Sequence, residues 1–289
     1  MDVRAVLMGL TFALIWSSAF TSARIIVEAA PPLYSLSARF LVSGVIGISI
    51  ALALGQRFNL TRNQWRAVII FGLCQNAIYL GLNFVAMQTI EASLAAIIAS
   101  TMPLLVALAN WTIFKDRLPA LGILGMVAGF AGVAIIMAQR FSGGADPYGI
   151  ALCLIGAVAL AAATLTVKSA SSEGGNLLMI VGLQMIVGSA ALLLPAMAFE
   201  TLTVDWTRPF ILAFIYTTLM PGLAATLIWF LLVGRIGATR AATYHFLNPV
   251  FGVAIAFAFL SEQLSWTDAL GVAIIAGGIL AVQRSRIKG

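Results

Sequence analysis

Charge is scarce in this chain. Only 9% of its 289 residues are Asp, Glu, Lys or Arg, while 62% are hydrophobic. That is too little charge to coat a water-soluble domain of this length. No carboxylate stands near the centre of any long apolar run, which disfavours proton coupling through a buried acid. The two cysteines, Cys74 and Cys153, lie inside apolar runs and form neither a CxxC pair nor a metal spacing, so they read as packing residues. HExxH, GxSxG and P-loop patterns are missing, and the lone histidine, His245, has no acid on its helix face, so neither an enzyme nor a cofactor is expected. No loop is long enough to form a separate soluble domain. The net charge of +6 is scattered through short loops, which fits membrane orientation and not a nucleic-acid partner.

What is present is apolar sequence in long blocks, with a mean hydropathy of +1.06. Crossing a ~30 Å hydrocarbon layer takes about 20 residues of helix. Ten such spans are predicted, at 4–26, 33–54, 65–87, 92–114, 119–138, 147–168, 176–198, 208–233, 239–260 and 266–284. The fold expected is an all-α integral membrane protein in a lipid bilayer. Pro31-Pro32 break the chain after the first span, while Pro119, Pro147 and Pro209 occupy first turns, where a missing N–H costs little. The run from Ala5 to Phe20 follows Arg4 and lacks a small-x-small cleavage site, so it reads as a retained first helix.

Lys and Arg set the orientation. With the N-terminus in the cytoplasm, 12 of the 16 basic residues fall inside, leaving Arg24, Arg39, Arg140 and Arg208 outside. Lys115, Arg117, Lys168, Arg240 and Lys288 are among the inner ones. Both termini are expected to be cytoplasmic.

Residues 92–132 are echoed by 238–278. Pro103 falls on Pro249, Asp116-Arg117-Leu118 on Glu262-Gln263-Leu264, Gly125 on Gly271 and Gly132 on Gly278, all at an offset of 146. Two units follow, 1–141 and 142–289, each of five spans. An odd number of crossings turns the second unit upside down, giving the inverted repeat on which alternating access depends.

With these features the chain resembles the drug/metabolite transporter superfamily, in particular its EamA-type members. The marks are Trp16-Ser17-Ser18-Ala19-Phe20, the Arg39-Phe40 pair, Asp116-Arg-Leu118 and Glu262-Gln-Leu264. Family members usually carry Gly where Ser17 stands here. Overall likeness is greatest to YddG-like amino-acid exporters of bacterial inner membranes. The resemblance implies a central cavity lined by helices 1, 3, 4, 6, 8 and 9, with helices 5 and 10 bracing the halves from outside. It also implies a small-molecule substrate and an inner-membrane location, while the sequence leaves the oligomeric state open, a monomer being one reading. Cation exporters of the small multidrug branch carry a membrane-embedded Glu in helix 1, where this chain reads Leu14-Ile15-Trp16-Ser17.

Polar residues inside spans tend to face a cavity or the bundle interior. Asn76, Tyr79 and Asn83 stand at i, i+3 and i+7 and would share one helical face, as a substrate wall or as interhelical glue. Tyr244 and Asn248 are i, i+4 neighbours with His245 beside them, and Trp16 offers an aromatic platform. His245 is the one mid-membrane group that titrates near neutrality, but a neutral, hydrogen-bonded histidine is the stronger reading. Thr164 and Tyr216 are lesser sites of the same kind. Pro103, beside Ser100, and Pro249 are expected to kink their helices and serve as bending points, with Pro221 a third kink. Arg24 and Glu28 should pair. Arg39 is expected to snorkel outward, with contact to a substrate carboxylate as the lesser reading. The expected substrate site is therefore Trp16, Asn76, Tyr79, Asn83, Ser100, Tyr244, His245 and Asn248, serving amino acids or related metabolites.

Overall fold

The computed structural model describes residues 2–115, 118–167, 176–237, 241, 243–263 and 265–287. Asp116, Arg117, Lys168, Arg240, Leu264 and Lys288, and the start of the expected span at 239, lie outside the described residues.

The described residues form helices and no strands. Eight are long and apolar enough to cross a membrane: α1 (Val3–Ala29), α2 (Pro32–Ala53), α3 (Arg62–Ala86), α4 (Ala92–Thr112), α5 (Ala120–Ser142), α6 (Pro147–Val167), α7 (Leu177–Phe199) and α8 (Arg208–Ile236). Two shorter apolar stretches follow. The first, α9, is a 3-10 turn Thr243–Leu247 running into an α-helix Asn248–Leu260, and the second, α10, is Trp266–Ile287. Large apolar side chains such as Leu194, Met197 and Leu212 point outward, a surface suited to lipid and not to water.

Local chemistry explains the starts of these helices. Thr61 and Gln64 form a reciprocal capping box at α3, and the Thr207 hydroxyl accepts the Phe210 N–H at α8. The Glu200 carboxylate accepts the free N–H groups of Leu33 and Tyr34 at the head of α2, at 2.8 and 2.9 Å. Glu262 does the same for Ala92 and Ser93 at α4, at 2.8 and 3.0 Å. Ser265 and Asp268 cap α10 reciprocally, and Arg140 bridges Glu91 and Asp268. Gly237, at φ 80°, ends α8 in a conformation that favours glycine.

Four helices are irregular. Residues Gly72–Tyr79 of α3 and Thr218–Ala225 of α8 are wound as π-helix. Chain α4 breaks at Ser100-Thr101 and restarts at Met102, while the α-helical part of α9 starts at Asn248. Both pairs of irregularities stand 146 residues apart.

Packing is strongly paired. The α2 helix lies along α7, and α5 along α10. The second pairing needs glycine: a Cβ on Gly278 would sit 2.5 Å from the Gly125 carbonyl oxygen, and one on Gly132 3.0 Å from that of Gly271. Helix α1 packs on α8 and α9, and α6 on α3 and α4.

Candidate functional site

A narrow cleft opens between α1, α2, α3, α7 and α8. Trp16 and Phe20 come from α1, Arg39 and Phe40 from α2, Asn76, Tyr79, Asn83 and Phe84 from α3, Met185 from α7, and Pro221, Gly222 and Thr226 from α8. No α4, α6 or α9 residue lines it, and α2 does. The family likeness implied α4, α6 and α9 in place of α2 and α7.

The α3 stripe is held rigidly. Asn83 Nδ2 donates to the Tyr79 carbonyl at 2.8 Å, and Cys153 Sγ donates to Asn83 Oδ1 at 3.4 Å. Asn76 Nδ2 donates to the Gln184 carbonyl at 3.0 Å. These amides join helices and also border the cleft. Fixed dipoles of this kind need no reorganisation when a polar solute arrives.

The α9 cluster stands apart from the cleft. The Asn248 side-chain amide donates to His245 Nδ1 at 2.8 Å, a pairing within one short turn. The His245 ring meets Phe12 and Trp229 edge-on, with centroids 5.3 and 4.9 Å away. Tyr244 lies flat over Gly9, whose missing Cβ leaves room for the ring. Ser17 donates to the Asn248 carbonyl. Ser100 is buried and donates to its own helix at the Ile97 carbonyl, 2.6 Å. Expected site residues Ser100, Tyr244, His245 and Asn248 thus stand outside the cleft. Tyr244 and His245 lie in the 3-10 turn, which offsets their phase from the α-helix that follows.

Thr164 bonds the Leu160 carbonyl, and Tyr216 bonds the Ser18 hydroxyl at 2.6 Å. Arg24 pairs with Glu28 at 2.9 Å and also donates to the carbonyls of Met87 and Ile90, pinning α1 to the end of α3. Pro103 and Pro249 occupy first turns of restarted helices, not helix interiors. A proline there gives up no helical hydrogen bond, so the interior-kink expectation is corrected. Pro221 does lie inside a helix, within the π segment of α8, and borders the cleft.

Arg39 departs most from expectation. It does not snorkel. It is 4% exposed and borders the cleft, with Cζ 4.6 Å from the Phe40 ring centroid and 5.9 Å from that of Phe84. Its Nε has no hydrogen-bond partner, and no carboxylate pairs with it among the described residues.

The EamA-like transporter family matches this chain twice, over residues 3–138 and 147–283. The chain belongs to that family. It is 27% identical over 280 residues to YvbV, an uncharacterized transporter of Bacillus subtilis (strain 168), covering 96% of this chain and 91% of that protein. It is 28% identical over 280 residues to YedA, an uncharacterized inner membrane transporter of Escherichia coli (strain K12), covering 96% and 90%. A solved crystal structure of a protein shares the fold at TM-score 0.72 over 98% of each chain, with 21% identity. The EamA-family chain is a multi-pass membrane transporter.

Proposed function

We propose that this transporter exports amino acids, chiefly aromatic and other neutral ones, and related small metabolites across the bacterial inner membrane by alternating access. The observation that carries the reading is the make-up of the cleft. Its walls come from both family-matched segments, α1–α3 from the first and α7 and α8 from the second. A solute held between two units is exposed to either side when they rock. Trp16, Asn76, Tyr79 and Asn83 supply aromatic faces, amides and a phenol, groups suited to a small polar solute with an apolar body.

The inverted repeat is part of the same proposal. The π segments recur at the offset of the sequence echo, as do the restarts at Met102 and Asn248. The partners of α1 and α6 also correspond, α8 and α9 for one and α3 and α4 for the other. With five spans per unit and basic residues inside, both termini are cytoplasmic, and one monomer contains the whole path. Pro103 and Pro249 mark the joints at which α4 and α9 bend.

The test is counterflow of labelled phenylalanine into liposomes carrying the full chain, with and without a pH gradient. Uptake above empty liposomes is expected, unchanged by the gradient. Uptake equal to empty liposomes would remove the amino-acid reading, and acceleration by the gradient would restore His245 as a coupling group.

A further inference from the structure

We propose that Arg39 is the anion-binding residue of the cleft and that it takes a carboxylate of the transported solute as its missing counter-ion. This rests on the transport reading and narrows it to a class: organic monocarboxylates with an aromatic or apolar body.

Arginine is almost never fully buried without a paired acid, because an unpaired charge in a low-dielectric interior is costly. Inside a membrane that cost is higher still, and such residues mark substrate paths. Among the described residues Arg39 has no such acid, and none of those lining the cleft is Asp or Glu. The rings of Phe40 and Phe84 give its guanidinium partial shelter through their π faces, but they accept no N–H bond of carboxylate strength. The guanidinium fork matches a carboxylate in shape and charge. A bound anion would neutralise the one fixed charge of the cleft.

The repeat makes the site one-sided. The position 146 residues after Arg39 is Met185, which also borders the cleft. One wall therefore presents a cation and the equivalent wall a flexible apolar side chain, which orients a solute with one charged end and one apolar end. A substrate ammonium would find ring faces, amide oxygens and the hydroxyls of Tyr79 and Thr226, with no carboxylate among the described lining residues. The carboxylate is thus the obligatory group and the ammonium an optional one.

The experiment compares three probes on the purified full chain in nanodiscs: 3-phenylpropionate, phenylalanine and phenylalaninamide, which lacks the carboxylate. Both carboxylates are expected to bind at least about tenfold more tightly than the amide, the size of one charge-assisted hydrogen bond. Arg39→Gln should abolish that preference and Arg39→Lys retain part of it, which separates lost recognition from lost folding. Binding of 3-phenylpropionate through Arg39 without binding of phenylalanine would uphold this site and sink the amino-acid reading. Equal binding of phenylalanine and its amide, unaffected by Arg39→Gln, would overturn the site and leave the amino-acid reading standing. Binding of neither carboxylate would also overturn it.

Discussion

Arg235 holds Asp2 through two hydrogen bonds, 2.6 and 3.3 Å long, tying the end of α8 to the start of α1. At the position 146 residues before Arg235 stands Thr89, and it bonds Asp146 at the head of α6 at 2.6 Å. Each contact fastens the first helix of one unit to the end of the third helix of the other. One clasp pairs two charges and the other a hydroxyl with a carboxylate.

This asymmetry can be titrated. The hydrogen bond from Arg235 holds the Asp2 carboxyl below the ordinary aspartate range, and that from Thr89 does the same for Asp146, helped by the N–H groups of Tyr148 and Gly149. A lowered folded-state value means the clasp is complete above the ordinary aspartate pKa, about 3.9, and is lost as pH falls through the lowered one. Arg235→Gln should raise the Asp2 value and leave that of Asp146 in place, read from carboxyl carbon NMR signals. An unmoved Asp2 would show that the clasp is not formed in the membrane.

The α5–α10 seam should tolerate no extra carbon at its closest point. In Gly278→Ala the new Cβ meets backbone at 2.5 and 2.7 Å, at the Gly125 carbonyl and the Gly129 nitrogen, and backbone cannot step aside as a side chain can. A loss of about 1–3 kcal/mol is expected. Gly277→Ala, with nothing within 4 Å, is the neutral control. Thermal unfolding in detergent measures both, and equal stability of the two variants would contradict the seam.

Glu262 should matter for folding and not for recognition. Its carboxylate caps α4 and lies outside the cleft, so Glu262→Ala should cost about 1 kcal/mol of stability while leaving phenylalanine affinity unchanged. Glu262→Gln, which keeps one acceptor, should lose less. A fall in affinity with stability intact would move this residue into the binding machinery.

Pro249→Ala tests bending at the α9 restart. An alanine supplies the N–H that proline lacks and favours continuous helix through the turn before it. Transport should slow while binding affinity stays the same. A variant transporting at the original rate would remove Pro249 as a joint.

Much of this architecture is legible in composition and spacing. Hydropathy blocks locate the apolar helices, and Thr61-Arg62 and Thr207-Arg208, 146 residues apart, are a capping signal for the repeat that its more obvious prolines and glycines overshadow. The π segments are far less visible: Pro221 punctuates one, while its counterpart position in α3 is Gln75, an ordinary helix residue. Side-chain direction is where residue-by-residue reading fails. Tyr244 and Asn248 share an α-helical face at i, i+4 until the backbone at Tyr244 tightens into a 3-10 turn, and Arg39 fits a snorkelling residue until Phe84 of α3 packs against it. For Arg39 a neighbouring element, not the local pattern, decides what the side chain faces.

The paired π segments have a mechanical consequence. A π turn hydrogen-bonds from i to i+5, so drawing it into the α pattern swivels everything beyond it about the helix axis without severing the span. Tyr79 ends one such stretch, and Pro221 lies within the other. Each side of the cleft therefore carries one place where a change of winding would turn one end of α3 or α8 against the other, at the cost in α3 of the bond from Asn76 to the Gln184 carbonyl. Such a rotation would exchange the side chains that face the cleft with little sideways displacement of lipid.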